Sequence, residues 1–255
     1  MNVSSTMYLI VCPLVFLAGF VDSIAGGGGL ISLPAYLLAG LPAHYAIGTN
    51  KTAMSIGTFT AAVKYLKAGQ MDLKVGALSA AGSFLGAFLG SSLALMIADN
   101  ILKMIMLAVL PAVAIFLLIK KDFGAAADLS KQVSVQRLTV SSLVIGLVIG
   151  CYDGLIGPGT GTFFILTFTA FLGFDLLKSS GCAKAANLAS NVASMIVFSV
   201  NGKVLVPLAL PAALFAVAGN YCGARLAISG RSKYVRYVIF FVIGLLFLKM
   251  AAELI

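Results

Sequence analysis

The chain has 255 residues, 61% of them hydrophobic and 10% charged, with a net charge of +9 and a mean hydropathy of +1.09. Soluble domains carry about 25% charged residues, so these figures exclude a water-soluble globule. Apolar runs of roughly twenty residues recur along the whole length and predict a polytopic, all-α membrane protein. The positive charge does not indicate nucleic acid, because Lys and Arg gather in short loops where they set topology.

The N-terminus has no basic stretch before its first apolar run, so that run is read as a helix and not as a cleaved signal peptide. Segment one is predicted from about Met7 to Ala25, and a short apolar piece follows from Leu30 to Ala39. That piece is too short to span and has the length of a re-entrant or half helix. Segments three, four and five follow at about Ala43 to Val63, Val75 to Ile97 and Ile101 to Ile119. The polar stretch from Lys120 to Arg137 divides the chain. Segment six is predicted at Leu138 to Ile156, a short piece at Thr162 to Leu172, and three more spans at Gly181 to Val200, Val204 to Ile228 and Tyr234 to Leu254. The expected organisation is an N-terminal repeat (1–119), a cytoplasmic linker (120–137) and a C-terminal repeat (138–255).

Two glycine-rich breaks anchor this division. The first is Asp22-Ser23-Ile24-Ala25-Gly26-Gly27-Gly28-Gly29, and the second runs from Asp153 through Gly157-Pro158-Gly159-Thr160-Gly161. Each glycine costs a helix interior about 1 kcal/mol relative to alanine. Irregular backbone at membrane depth survives only where protein buries it or where it lines a cavity. Asp22 and Asp153 stand 131 positions apart, while Lys51 and Lys184, Gly69 and Gly202, Gly86 and Gly219, and Gly90 and Gly223 stand 133 apart. A two-residue slip within the short segment reconciles the offsets, and the result is an internal duplication of the kind used by transporters.

Loop charge sets the direction of the repeats. The loop after segment three holds Lys64, Lys67 and Lys74, whereas the loop after segment four has Lys103 beside Asp99. In the second half the bias reverses: Lys203 stands alone after segment eight, and Arg231, Lys233 and Arg236 follow segment nine. With the basic loops in the cytoplasm, Lys120, Lys121, Lys131, Arg137 and Lys178 join them, and both termini fall on the other side. Five segments per repeat then require inverted repeats. Counting each break as one interrupted helix would give four per repeat and parallel halves, which the reversed charge bias disfavours.

Lys51 and Lys184 occupy equivalent positions, about eight and three residues into their predicted segments. A lysine at mid-bilayer costs about 2.5–3.5 kcal/mol on insertion scales. It is either an ion-pair partner of Asp22 or Asp153, a snorkelling anchor, or a charge facing a cavity for an anion. Lys184, Asn187, Asn191 and Ser194 follow one helical stripe, and Lys51, Ser55 and Thr58 follow another, with Thr49 and Asn50 just before. Such stripes are interhelical hydrogen-bond seams or the wall of a substrate path. Helices that begin after the breaks present positive ends, a ready anion site. The substrate-binding candidates are therefore Lys51, Lys184, Asn50, Thr49, Gly27, Gly28, Gly29, Gly159, Thr160, Gly161, Asn187 and Asn191. Asp22 and Asp153 are candidates for ion pairing or for coupling to protons or sodium ions. The glycine spacing also mimics a nucleotide loop, but no strand precedes it and no βαβ pattern surrounds it.

Gly82, Gly86 and Gly90, and Gly219 and Gly223, form small-residue faces for close helix packing, with a homodimer contact as the other use. Asn220 lies within the second face, and Arg225, one turn beyond it, reads as an anchor at the cytoplasmic end. His44 stands alone at a turn and has no assigned role. Cys12, Cys151, Cys182 and Cys222 have no metal or redox spacing and read as small buried residues. No cofactor or metal is expected. One histidine and scattered cysteines offer no nucleophile–base pair, so the chain does not read as an intramembrane enzyme.

The run Gly19-Phe20-Val21-Asp22-Ser23-Ile24-Ala25-Gly26-Gly27-Gly28-Gly29-Leu30, followed by Ala46-Ile47-Gly48-Thr49-Asn50-Lys51, closely resembles the TauE/SafE sulfite-exporter family. That family is also called the 4-toluene sulfonate uptake permeases. The resemblance covers the length, the duplicated architecture and both motif copies, although Pro158 and Ala183 replace the equivalents of Gly27 and Asn50 in the second. It implies movement of small organosulfur anions such as sulfite, thiosulfate, sulfonates or sulfoacetate. It also implies a bacterial or archaeal cell membrane. The expectation is a secondary transporter working by alternating access, with an anion channel or a carboxylate transporter as alternatives.

Overall fold

The computed structural model describes residues 3–119 and 134–230. Its helices are α1 (Ser5–Ala25), α2 (Gly29–Leu38), α3 (Ala43–Lys67), α4 (Leu73–Met96), α5 (Asp99–Ile119), α6 (Val135–Leu155), α7 (Thr160–Leu172), α8 (Leu176–Val200) and α9 (Val206–Ile228). The described residues contain no strand. The tenth expected segment, most of the linker, and Lys120, Lys121, Lys131, Arg231, Lys233 and Arg236 lie outside the described residues.

The glycine breaks terminate helices as their chemistry requires. Gly26 closes α1 at φ +80°, and Gly157 follows α6 at φ +90°, a conformation that a side chain strongly disfavours. The helices beyond the breaks are short. α2 has 10 residues, about 15 Å, which is half the thickness of a bilayer core. α7 has 13 residues.

Five helices, α1, α4, α5, α6 and α9, are long and apolar enough to cross a membrane. α3 and α8, each 25 residues long, carry the polar stripes and have charged residues buried along them. They can do so because they pack on each other and are covered by α9 and α4. α8 begins earlier than the sequence suggests, because the Asp175 carboxylate accepts the Lys178 amide at 2.8 Å and caps it. That start corrects the expected depth of Lys184. It lies as far into α8 as Lys51 lies into α3.

Helix contacts come in exchanged pairs. α6 runs parallel to α4, and glycines on both helices allow backbone contact: a Cβ on Gly86 would overlap the Leu147 carbonyl oxygen, and one on Gly90 that of Cys151. Gly146, Gly150 and Gly154 of α6 meet Ser79, Ser83 and Ala87 of α4 in return. The equivalent pair is α1 with α9, where Gly219 meets Phe16 and Gly223 meets Phe20. These small-residue faces are thus filled within the chain. Cys222 is exposed and Cys151 half-buried, so the expectation of four buried cysteines holds for Cys12 and Cys182 alone.

α3 and α8 cross antiparallel. Gly48, near the start of α3, abuts the Lys203 carbonyl just after α8, while Gly181, near the start of α8, abuts the Gln70 carbonyl just after α3. Between these ends Asn191 Nδ2 reaches Thr58 Oγ1 at 3.5 Å. Thr58 and Asn191 stand 133 positions apart, the same offset as Lys51 and Lys184. Lys178 pairs with Asp72 at 3.4 Å, and Lys64 lies 3.7 Å from the Tyr221 ring centroid, which gathers Lys64, Lys67, Lys74, Lys178 and Arg225 at one end of the bundle. The opposite end holds Tyr8, bonded to the Pro207 carbonyl at 3.1 Å, and His44, whose Nδ1 is 2.9 Å from Asp99.

Candidate functional site

The two glycine breaks touch. Gly26 and Gly161 pack backbone against backbone, and Thr162 Oγ1 donates to the Ala25 carbonyl at 2.7 Å. Gly29 lies against Gly157 and Pro158. The second break is fixed internally, since Thr160 Oγ1 donates to the Gly157 carbonyl at 2.8 Å and Tyr152 Oη to that of Pro158 at 2.7 Å. The starts of α2 and α7 therefore converge on one place, and both bring the positive end of a helix dipole.

Across this place each lysine meets the aspartate from the other half of the chain. Lys51 Nζ lies 2.6 Å from Asp153 Oδ2, and Lys184 Nζ lies 2.6 Å from Asp22 Oδ2. All four groups are buried, where an unpaired charge would cost several kcal/mol. Further donors complete the carboxylates: Ser190 Oγ bonds Asp153 Oδ2 at 2.5 Å, and Asn187 Nδ2 reaches Asp22 Oδ2 at 3.5 Å. Lys184 also donates to the backbone carbonyl of Asp22 at 2.5 Å. Two ammonium groups and two carboxylates leave the site without net charge.

Between them lies a cavity of about 20 Å³, room for one or two water molecules. Of the residues that the sequence singles out, Lys51, Asn50, Asn187, Asn191, Asp22 and Asp153 line it, as do Gly29, Thr160 and Gly161 from the starts of α2 and α7. Lys184 is enclosed behind Asp22, and Gly27, Gly28 and Gly159 lie off the cavity. Thr49 is engaged elsewhere, its Oγ1 accepting the Leu205 amide at the start of α9 at 3.0 Å. The far ends of the polar stripes form interhelical bonds: Ser194 with Ser91 at 2.8 Å, and Ser55 with Met195 Sδ at 3.4 Å. Each stripe thus changes from cavity wall to packing seam along its length.

Several contributors escaped the sequence reading. Gly26, Ser32, Leu33, Met54 and Gly157 also line the cavity. Met54 is the repeat equivalent of Asn187, a signal that the duplication offered. Ser190 sits three residues beyond Asn187 on the same helical face. Asn50 Oδ1 is buried without a hydrogen-bond partner among the described residues. His44, without a role in the sequence, bridges Asp99 and the Ala94 carbonyl, the latter at 3.0 Å from Nε2, and ties the start of α3 to the α4–α5 turn.

A family model described as "Sulfite exporter TauE/SafE" matches residues 11–250. The chain is 37% identical to a "Probable membrane transporter protein ORF9" of Sinorhizobium sp., over 93% of this chain and 90% of that one. It is 29% identical to "Probable membrane transporter protein YfcA" of Escherichia coli K12, over 93% and 87%. It is 31% identical to a "Probable membrane transporter protein" of Haemophilus influenzae, over 92% and 91%. No solved structure matches the chain. An all-helical bundle with spanning helices, broken segments meeting at a buried charged site, and a family match across nearly its whole length make this chain a membrane transporter of the TauE/SafE sulfite-exporter family.

Proposed function

We propose that the chain is a secondary transporter that moves small organosulfur anions, of the sulfite, thiosulfate, sulfonate or sulfoacetate class, by alternating access. The observation that carries this reading is the meeting of the two breaks around a small polar cavity, with a buried lysine of each repeat held by the aspartate of the other. The exchanged helix contacts and the antiparallel α3 and α8 support two inverted repeats. With the basic end in the cytoplasm, the N-terminus faces the opposite side of a bacterial or archaeal cell membrane. A site on the two-fold axis of inverted repeats can be opened to either side by the same rearrangement.

Within the site Lys51 supplies positive charge, and Asn50, Asn187 and Asn191 supply hydrogen bonds. Gly29, Thr160 and Gly161 bring the helix N-termini that favour anions. The sulfur-anion class follows the family description, and the relatives' names speak of transport alone.

Purified protein in proteoliposomes, offered labelled sulfite, thiosulfate, 4-toluenesulfonate or a small carboxylate, tests this. Saturable uptake of the sulfur anions is expected, with Lys51→Ala abolishing it in protein that still elutes as a folded species. Unchanged uptake in that variant would refute the site. Uptake confined to cations would refute the anion reading, and unitary currents would replace the transporter by a channel.

A further inference from the structure

The two ion pairs are equivalent in the repeat yet unequal in their surroundings. Lys184 is fully enclosed, does not reach the cavity, and is held by both the carboxylate and the backbone carbonyl of Asp22. Lys51 lines the cavity, and among the described residues its ammonium has Asp153 as its one close partner. Beside it stands Gly157, where even a Cβ would come within 3.3 Å of Nζ. Asp153 has a second, neutral partner in Ser190, which remains when the lysine leaves. Asn50 Oδ1, next to Lys51 in the chain, is a buried acceptor without a donor, in a residue that lines the same cavity and is 4% exposed.

An anion entering a site of zero net charge would bring an uncompensated charge into a poorly polarisable interior. Resting on the anion-transport reading, we propose that Asp153 is the proton carrier of the transport cycle: a proton from water neutralises its carboxylate and releases Lys51 to the anion, while the Lys184–Asp22 pair stays closed. Charge balances, because one proton and one monovalent anion enter together. The carboxylate takes the proton of a hydronium ion, water is released, and no other bond changes. The groups facing Asp153 are Lys51 on α3 and Ser190 on α8, with Asp22 on α1 and Thr160 on α7 lining the same cavity and Tyr152 next to it on its own helix. The face of α4 against this part of α6 contributes Ala87 and Ser91 and no charge. In the loaded state the unpartnered Asn50 oxygen gains a donor from water admitted with the anion or from the new acid.

Calorimetric titration of the detergent-solubilised full chain with 4-toluenesulfonate, which stays ionised throughout, tests this in two buffers of different ionisation enthalpy. The expected result is one proton taken up per anion bound, with affinity falling tenfold per pH unit wherever Asp153 is ionised. Asp153→Asn should bind with no proton uptake and no pH dependence. In the wild-type protein, an anion-induced infrared difference spectrum should gain a carboxylic-acid C=O band. That band should shift in Ser190→Ala, whose lost hydroxyl bonds Asp153, so an unshifted band would refute the assignment even where Asp153→Asn does not fold. Binding without proton uptake or without the acid band would refute the coupling and leave the anion reading standing. Proton uptake persisting in Asp153→Asn would refute the assignment to Asp153. No binding of 4-toluenesulfonate, sulfite or thiosulfate would overturn both.

Discussion

Removing the Lys184 ammonium would leave the Asp22 carboxylate buried and without its cation. The pair is short, 2.6 Å, with side-chain exposures of 0% and 4%, so the carboxylate would lose its one charged partner at a place that bulk water does not reach. At an effective dielectric constant of about 20, unit charges 4 Å apart attract by about 4 kcal/mol, and breaking buried pairs from one side costs about 3–5 kcal/mol. Asn187, at 3.5 Å, is too distant to offset much of this. Lys184→Met should therefore destabilise the fold by about 3–5 kcal/mol. The double variant Lys184→Met with Asp22→Asn, which removes both charges and preserves shape, should return to within about 2 kcal/mol of the parent, a coupling of at least about 1 kcal/mol. Unfolding in mixed micelles with increasing sodium dodecyl sulfate, followed by far-ultraviolet circular dichroism, measures this. Tryptophan fluorescence cannot, because the chain has no Trp. A single-variant cost below about 1 kcal/mol, or strict additivity in the cycle, would refute the pair's role in holding α1 to α8.

Three further outcomes follow from particular contacts. Gly86→Ala puts a methyl into the Leu147 carbonyl and should cost about 1–3 kcal/mol, read as a lower melting temperature in detergent, whereas Gly69→Ala, which has open space around it, should incur only the strain of its positive φ. Gly157→Ala combines φ +90° with a Cβ 3.0 Å from Asp153 Oδ1; a backbone penalty of about 1–2 kcal/mol should accompany a much larger fall in uptake, and normal uptake would show that the second break need not keep its shape. Asp99→Ala removes the acceptor of the Ala43 and His44 amides, both at 3.0 Å, and should cost about 0.5–2 kcal/mol, with faster hydrogen exchange confined to the first turn of α3.

Helix positions were legible because apolar runs and glycine breaks act locally, on the residues that carry them. The late predicted start of α8 is the instructive exception. Lys178, Ser179 and Ser180 look like loop, and Asp175, whose cap extends the helix past them, looks like an ordinary loop acid. In the site, the duplication made Lys51 and Lys184 equivalent, and both aspartates were in view. Which aspartate meets which lysine depends on how α3 and α8 cross, and no local pattern encodes that. The same limit hid Gly146, Gly150 and Gly154, whose spacing matters once α4 is known to lie against them. Thr49 shows the opposite error: it neighbours Asn50 in the chain, but a helix turns successive residues about 100° apart, and its hydroxyl serves α9.

The exchange of partners between repeats has a consequence for biogenesis. α1 is synthesised first, but the surfaces it needs are on α8 and α9, and Asp22 waits for a lysine 162 positions later in the chain. The first repeat alone would leave that carboxylate and the contact face of α1 uncovered in the bilayer. Closure is thus deferred until nearly all of the polypeptide has been inserted. Contacts so distant in sequence make for slow, late assembly, and the N-terminal half must be held in the membrane unfinished until its counterpart arrives.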